Sequence, residues 1–407
     1  MSLIFSGCDV NILQLSPQFP FSESDGGKKS IVMFYKGFRN EGHNVTFVCY
    51  HDSIEQYEDK SKNIYCICHS TKNTLLRKIL AIFLKKPLYL HKHYSQKLKT
   101  DIVETLEGQS FDIIHADHTA MAEMAIELGA HYNIPVVLRL HNIEWKIWER
   151  YYERLSKFSL ARYYIQRQSK LLKKMEINLC ERVNVCLTIT DKDKELIQKY
   201  VHTPFIVTKP FGVKTLQEQG TFSSCREQFT LMMATNWAWR HNIEGAEWFI
   251  VNVLPILQKS IPEAKLLLLG KYLPKNFLDY SGKNVECVGF VENISDYYNC
   301  ASLFISPLFV GSGIRIKILE SLSFGVPVVA TSIGAEGIEL SEKDGLFIRD
   351  EPTEQASLII DLLHKPDEIN KLGERAKYSV QEKYNVQTII RQTLEIYQNT
   401  IEKFRLQ

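Results

Sequence analysis

Short runs of almost wholly apolar residues recur along this chain, each parted from the next by a stretch whose apolar positions repeat at helical spacing. The first, Asn11–Ser16, breaks into Pro17, Pro20 and a turn at Asp25-Gly26-Gly27. From Lys28 the residues Ile31, Val32, Phe34, Tyr35 and Phe38 mark a helical stripe that stops at Gly42, and Val45–Cys49 then reads as a second strand. The alternation returns at 111–115, 135–140 and 185–190, and again at 229–234, 265–270, 285–288, 303–306 and 326–330. Strands that are apolar on both faces and separated by helices belong in a parallel sheet covered on both sides. An α/β fold follows.

At 407 residues the chain exceeds one ordinary domain. The pattern weakens between Phe205 and Cys225, around Pro210, Gly212 and Gly220. This places an N-terminal domain at 1–207, a linker at 208–225, a second α/β domain at 226–385 and, over 386–407, a C-terminal helix expected to pack back on the first domain. Within the second domain the stripe from Ala246 to Leu257 predicts a helix kinked by Pro255. No sequence repeat of 20–50 residues is found, so the halves share architecture only.

A net charge of +2, with neither an RNA-binding aromatic signature nor a zinc-finger spacing, argues against a nucleic-acid partner. Nine scattered cysteines, several inside apolar runs, read as buried thiols in a reducing compartment; Cys66-Ile-Cys68 fits a strand better than a metal site. No run of about 18 apolar residues occurs, and no charged n-region precedes an apolar core, so a cytoplasmic location without a membrane span or signal peptide is expected.

The segment Ser306–Thr331 carries the most chemistry. A strand ends, a loop with Gly311 and Gly313 follows, a helix is predicted to open near Gly313, and Gly325 and Pro327 stop it. Free N–H groups and the positive end of the helix dipole favour an anion there. Arg315 and Lys317 add two cations where the dipole alone would prefer carboxylates, and Glu320 lies further in, placed to accept hydrogen bonds from a ribose. The same residues also fit an ordinary strand-loop-helix unit with a solvated basic turn; glycines, two cations and a carboxylate together favour a diphosphate site.

With these motifs the chain resembles glycosyltransferase family 4, the group 1 transferases built from two Rossmann-like parallel-sheet domains facing across a cleft, the GT-B architecture. The resemblance runs through Gly26-Gly27, Glu41–Val45, Phe111–His115, Leu140–Glu144, Trp239–Asn242 and, most specifically, Gly313–Val329. It implies a retaining, metal-independent enzyme that needs no cofactor beyond a nucleotide-diphosphate sugar, moving the sugar to a glycan or lipid-linked acceptor in cell-surface polysaccharide synthesis. Residues matching the family's donor site are Gly26, Gly27, Arg240, Phe290, Val291, Gly311, Ser312, Gly313, Ile314, Arg315, Lys317 and Glu320. Ser312 stands where many members have a first glutamate, and Thr235 replaces one of a basic pair, leaving Arg240, with His241 as substitute, or else Arg240 as a surface residue.

Asp117, His118, His141 and Glu144 follow predicted strand ends, where open α/β sheets place ligands. Asp117 and His141 are the candidate catalytic pair, although Asp117 ahead of Thr119 also suits a helix cap. Asp191-Lys-Asp193 resembles an Asp-x-Asp metal motif, but its place at a helix start fits capping better. Two other readings remain open: a non-catalytic nucleotide-sugar-binding protein, and a GT-B epimerase or phosphorylase. Finally, Lys72–Thr100 holds eight cations without Asp or Glu, interleaved with Leu75, Leu76, Ile79, Leu80, Ile82, Phe83 and Leu84, and Lys146–Lys174 is basic and aromatic. Both fit contact with the inner face of a membrane, or lysines over a packed apolar face.

Overall fold

The computed structural model describes residues 9–21, 26–52, 57–72, 74, 77, 81, 86–202, 205–213, 226–282, 284–311 and 313–407. The chain divides into two compact units, one of residues 1–210 with 387–407, the other of residues 211–386.

The first unit holds an eight-stranded sheet. Its strands are β1 (Asn11–Ser16), β2 (Asn44–His51), β3 (Tyr57–Asp59), β4 (Ile64–Cys68), β5 (Ile113–Asp117), β6 (Val136–Leu140), β7 (Val185–Thr188) and β8 (Phe205–Thr208). They lie in the order β3-β4-β2-β1-β5-β6-β7-β8, all parallel except the β3–β4 pair at one edge. The chain leaves β1 in one direction and returns on its other side as β5, so the strand order reverses between these two. That reversal opens a crevice at their C-terminal ends, where Ser16 and Asp117 stand. The buried faces of β1, β5 and β6 carry Leu13, Leu15, Ile114, Leu138 and Leu140. Each such side chain, fully buried, contributes about 1.5–3 kcal/mol.

The second unit has six parallel strands: β9 (Thr230–Ala234), β10 (Lys265–Leu269), β11 (Val285–Gly289), β12 (Leu303–Ser306), β13 (Val328–Ala330) and β14 (Leu346–Ile348). Their order is β11-β10-β9-β12-β13-β14, the doubly wound arrangement of a dinucleotide-binding fold, and the reversal here falls between β9 and β12. The expected kinked helix is two helices, Arg240–Asn252 and Leu254–Ser260, parted at Val253. Pro255 sits in the first turn of the second, where its missing N–H would have had no helical partner anyway.

Phe205–Thr208 pairs with β7 as an edge strand and so reaches one residue into the expected linker; residues 214–225 lie outside the described set. Val213 belongs to the second unit, bridging Asn385. The last helix, Val386–Arg405, buries Ile389, Ile390, Thr393, Leu394, Tyr397 and Ile401 at helical spacing, and Arg405 and Arg391 pair with Asp112 and Glu41 of the first unit. No helix among the described residues is long and apolar enough to cross a membrane.

Candidate functional site

In the second unit the strand reversal brings three loops together. The helix Ile316–Ser323 starts three residues later than the sequence predicts, with Arg315 as its N-cap residue. Gly313, at φ 76°, and Arg315, at ψ 96°, hold the preceding backbone out of helical geometry. Gly311 has φ 145°, a conformation that favours glycine, and a Cβ there would lie 2.0 Å from the Arg315 guanidinium and displace it. Arg315 Nη1 donates to the Gly313 carbonyl at 3.2 Å.

Lys317 reaches across to the end of the central strand: its Nζ lies 3.4 Å from both Thr235 Oγ1 and Asn242 Oδ1. Asn242 in turn donates to the Asn236 carbonyl at 2.8 Å. The helix carrying Asn242 sits close because Gly245 has no side chain: a Cβ there would meet the Pro307 carbonyl oxygen at 2.1 Å. Burial, then the Arg315 charge, lowers the Lys317 ammonium to about 7. The same burial and the two neighbouring cations hold His241 down at about 4. Two cations enclosed side by side, with a neutral imidazole beside them, concentrate positive charge at this point of the unit.

The remaining donor-site candidates fall in various places. Glu320 is half-buried on the same helix, and its charge is felt by the buried Tyr298 hydroxyl. Ile314 is half-buried between Gly313 and Arg315, and Ser312 lies outside the described residues. Phe290 and Val291 follow the edge strand β11; the Phe290 ring is exposed, with Lys271 Nζ 4.6 Å from its centre. Arg240 does not join the cluster. Its side chain is 90% exposed and pairs with Glu244 at 2.7 Å, one helical turn on, while His241 is the residue turned toward Arg315 and Lys317. Gly26 and Gly27 open the first helix, Gly26–Asn40, and are half-buried.

In the first unit Asp117 is no helix cap. His118, at φ 68°, precedes the short helix Thr119–Met121 without a side-chain capping bond, and Asp117 is the fully buried centre of a polar network. Its Oδ2 accepts from Gln14 Nε2 at 2.8 Å. Its Oδ1 faces His141 Nε2 at 2.8 Å, Arg139 Nη1 at 3.3 Å and His115 Nε2 at 3.3 Å. Burial alone would raise the carboxyl, but His115 and His141 hold it well below the ordinary range. Burial and the Arg139 charge lower His141 to about 4 despite Asp117. His141 Nε2 also has Arg139 Nη1 at 3.1 Å; with its proton on Nε2, shared with the carboxylate, a neutral His141 carries its free lone pair on Nδ1. The His118 ring stacks on His141 at 3.7 Å, and burial holds it well below the usual histidine value too.

Glu144 starts the helix Glu144–Arg154 and is buried. Glu176 caps that start: Oε1 accepts from Glu144 N (3.1 Å) and Thr119 Oγ1 (2.7 Å), Oε2 from Trp145 N (3.0 Å). Burial and the Glu176 charge push Glu144 up to about 8. Burial raises Glu176 as well, to about 7 despite its three donors, so Glu176 is the first of the pair to ionise and Glu144 keeps its proton to higher pH. Asp191 and Asp193 open the helix Asp191–Gln198; the N-cap is Thr190, which exchanges bonds with Asp193.

Reading the sequence by strand ends misses Gln14, His115 and Arg139, all completely buried within otherwise apolar strands. Their signal was present: polar residues interrupting runs such as Val-Val-Leu-Arg-Leu, on the three adjacent strands β1, β5 and β6. Register sets Gln14 beside His115 and Arg139 beside Asp117.

Comparison with known proteins agrees with this geometry. Residues 24–215 match the model "Glycosyltransferase Family 4" and residues 228–365 match "Glycosyl transferases group 1". A 44.6 kDa protein of the cps region of Klebsiella pneumoniae is 21% identical over 92% of this chain and 97% of its own. Among solved structures, the sucrose-phosphate synthase of Thermosynechococcus elongatus superposes with a TM-score of 0.68 at 14% identity, covering 97% of this chain and 100% of that one. HepE of Anabaena in complex with UDP-glucose gives 0.65 at 14% identity, over 96% and 100%. The pneumococcal O-GlcNAc transferase GtfA in complex with UDP and GlcNAc gives 0.67 at 12%, over 97% and 99%. With both Rossmann-like units matched to the models of one family, the chain belongs to the group 1, family 4 glycosyltransferases and has the GT-B fold.

Proposed function

We propose that the second unit binds a nucleoside-diphosphate sugar and that the enzyme transfers the sugar, with retention of anomeric configuration, to a glycan or lipid-linked acceptor bound by the first. The observation that carries this reading is the pairing of Arg315 and Lys317 at the start of the helix Ile316–Ser323, beside a neutral His241. A diphosphate is the complement of that charge, and fixed cations with free N–H groups stabilise it as it leaves. These protein cations take the part a metal ion plays elsewhere, so transfer is expected to survive EDTA. UDP or a UDP-sugar in the similar HepE and GtfA structures supports a uridine donor, and the cps-region relative supports a role in polysaccharide assembly.

The acceptor side rests on Asp117 and His141 at the strand ends of the first unit. A membrane-bound acceptor is supported by the helices Glu144–Arg154 and Leu160–Glu181. Around the turn between them Phe158 is 98%, Tyr163 74% and Tyr151 54% exposed, among Arg150, Lys157, Arg162 and Arg167. Exposed aromatics rimmed by cations suit an anionic cytoplasmic leaflet. Much of the other basic segment, including Leu75, Leu76 and 78–80 and 82–85, lies outside the described residues.

Thermal-shift screening of nucleoside diphosphates and their sugars, followed by NMR of the anomeric centre in the product, tests the reading. Stabilisation by one nucleoside diphosphate and an anomer matching the donor are expected; an inverted product, or no response to any nucleoside diphosphate, overturns it. Co-sedimentation with anionic against neutral vesicles, at low and high salt, tests the membrane contact.

A further inference from the structure

The last helix ends its path against the polar network of the first unit. Tyr397, two turns before the helix ends, is completely buried, and its ring packs 5.4 Å from Phe38. A buried phenol needs a partner for its hydroxyl, and Tyr397 has one in His115 Nδ1, which it meets in a short hydrogen bond. The other ring nitrogen, Nε2, faces Asp117 Oδ1 at 3.3 Å. The His115 ring is itself fixed, stacked 5.4 Å from Phe34 with 24° between the planes. Burial keeps the Tyr397 hydroxyl protonated, and a phenol O–H in this place can donate to an Nδ1 that carries its lone pair. A histidine that accepts at Nδ1 carries its proton on Nε2, the nitrogen that lies 3.3 Å from the carboxylate. Asp117 Oδ1 also lies 2.8 Å from His141 Nε2, a nitrogen that has Arg139 Nη1 at 3.1 Å on its other side.

We propose that Tyr397 is a positioning residue for the acceptor-side site: by donating to His115 Nδ1 it fixes the tautomer that faces Asp117, and through Asp117 it holds His141 with its Nδ1 lone pair free for the acceptor. The proposal rests on the role given above to Asp117 and His141. It assigns the C-terminal helix a part in the chemistry of the first unit, beyond covering its core.

The test uses the full-length enzyme and four variants: Tyr397→Phe, His115→Gln, the double variant, and His141→Ala. Tyr397→Phe keeps the ring that packs on Phe38 and removes only the hydroxyl. A glutamine at 115 presents an N–H₂ group that donates to Asp117 without help from the tyrosine. Tyr397→Phe is expected to lower kcat about tenfold, the effect of one hydrogen bond, with donor KM unchanged, and to alter the ¹⁵N ring shifts of His141. In the His115→Gln background the same change should have no further effect on kcat, the non-additivity of residues acting in one chain. If Tyr397→Phe retains full kcat and an unchanged His141 spectrum while His141→Ala loses transfer, the tyrosine only packs and the proposal is overturned. Equal losses from Tyr397→Phe in both backgrounds overturn it too. If His141→Ala transfers at the wild-type rate, the acceptor-side reading itself has failed and the positioning role falls with it.

Discussion

Lys317 Nζ stands 3.4 Å from Thr235 Oγ1, at the end of the central strand of the second unit. Thr235 is the position where the family resemblance leads one to expect a cation. The structure brings the cation there from another element, the helix Ile316–Ser323, so the strand end carries positive charge even though the strand itself supplies only a hydroxyl.

The depressed Lys317 gives the first prediction. Its value of about 7 means the ammonium is largely neutral at pH 8.5, and a diphosphate bound beside it must raise it again. Binding therefore takes up a proton, and affinity for a nucleoside diphosphate should fall as pH rises from 7 to 9, by up to about tenfold per unit. Calorimetry at pH 8 in buffers of different ionisation enthalpy should show that uptake, and Lys317→Met should abolish it. A bare nucleoside should bind with no such pH dependence; the same slope for both ligands would remove phosphate contact from Lys317.

Glu320 gives the second. A half-buried carboxylate in the second turn of that helix suits ribose hydroxyls, and losing a hydrogen bond to a charged group costs about 1.5–3 kcal/mol. Glu320→Ala should weaken nucleotide binding by that amount and leave the thermal midpoint near wild type. Unchanged affinity in a folded variant would refute the assignment.

Where the chain was legible, continuous apolar runs made it so: β1, β2, β5, β6, β9, β10, β12 and β13 all fall on runs such as Leu266–Leu269. The strands that escape notice are short or lie at an edge. β3 and β14 have three residues each, and β8 begins with the exposed Phe205, so its pattern reads as a linker. The glycine loop announced an anion site, but its helix starts at Ile316 because the backbone at Gly313 and Arg315 is held open. Arg240 and His241, the two candidates at that turn, part in the fold. Adjacent residues on a helix point about 100° apart, so His241 turns to the cluster while Arg240 meets solvent and Glu244. The bond from Tyr397 to His115 spans 282 residues, beyond the reach of any local pattern.

Asp117 and Arg139 give the third prediction. Both are completely buried, and the carboxylate is the acidic group that faces the Arg139 guanidinium at 3.3 Å. Asp117→Asn should lower transfer more than donor binding. It should also destabilise the first unit by about 3–5 kcal/mol, the cost of leaving a buried charge unpaired. Because Asp117 is held below the ordinary range, its stabilisation is present above its unfolded value and lost as pH falls through the folded one. Urea titrations should therefore show the full gap at pH 6, closing only below about pH 3.9. A variant as stable as wild type at pH 6 would mean that Arg139 draws its compensation from elsewhere.

The last prediction concerns the carboxyl pair at the start of the helix Glu144–Arg154. Glu176 accepts three hydrogen bonds yet is raised by burial to about 7, so it ionises first, and Glu144 is pushed up to about 8 by burial and by the Glu176 charge. A carboxyl raised in the folded state contributes stability that is complete below its unfolded value near 4.5 and is lost as pH rises through the folded value near 8. Glu144→Gln keeps the shape and never ionises. It should match wild type at pH 4.5 and exceed it increasingly up to pH 8, by on the order of 4 kcal/mol there, since each pH unit between the two values contributes about 1.4 kcal/mol. Glu176→Gln should instead destabilise where Glu176 is ionised in the folded protein, above about pH 7, because an amide presents an N–H₂ group in place of one of the two carboxylate oxygens that accept from the Glu144 and Trp145 amides and Thr119. Denaturant midpoints at pH 4.5, 6 and 8 distinguish the two. If Glu144→Gln and wild type unfold together at pH 8, Glu144 is already ionised in the folded protein, and the assignment of charge and proton within the pair must be reversed.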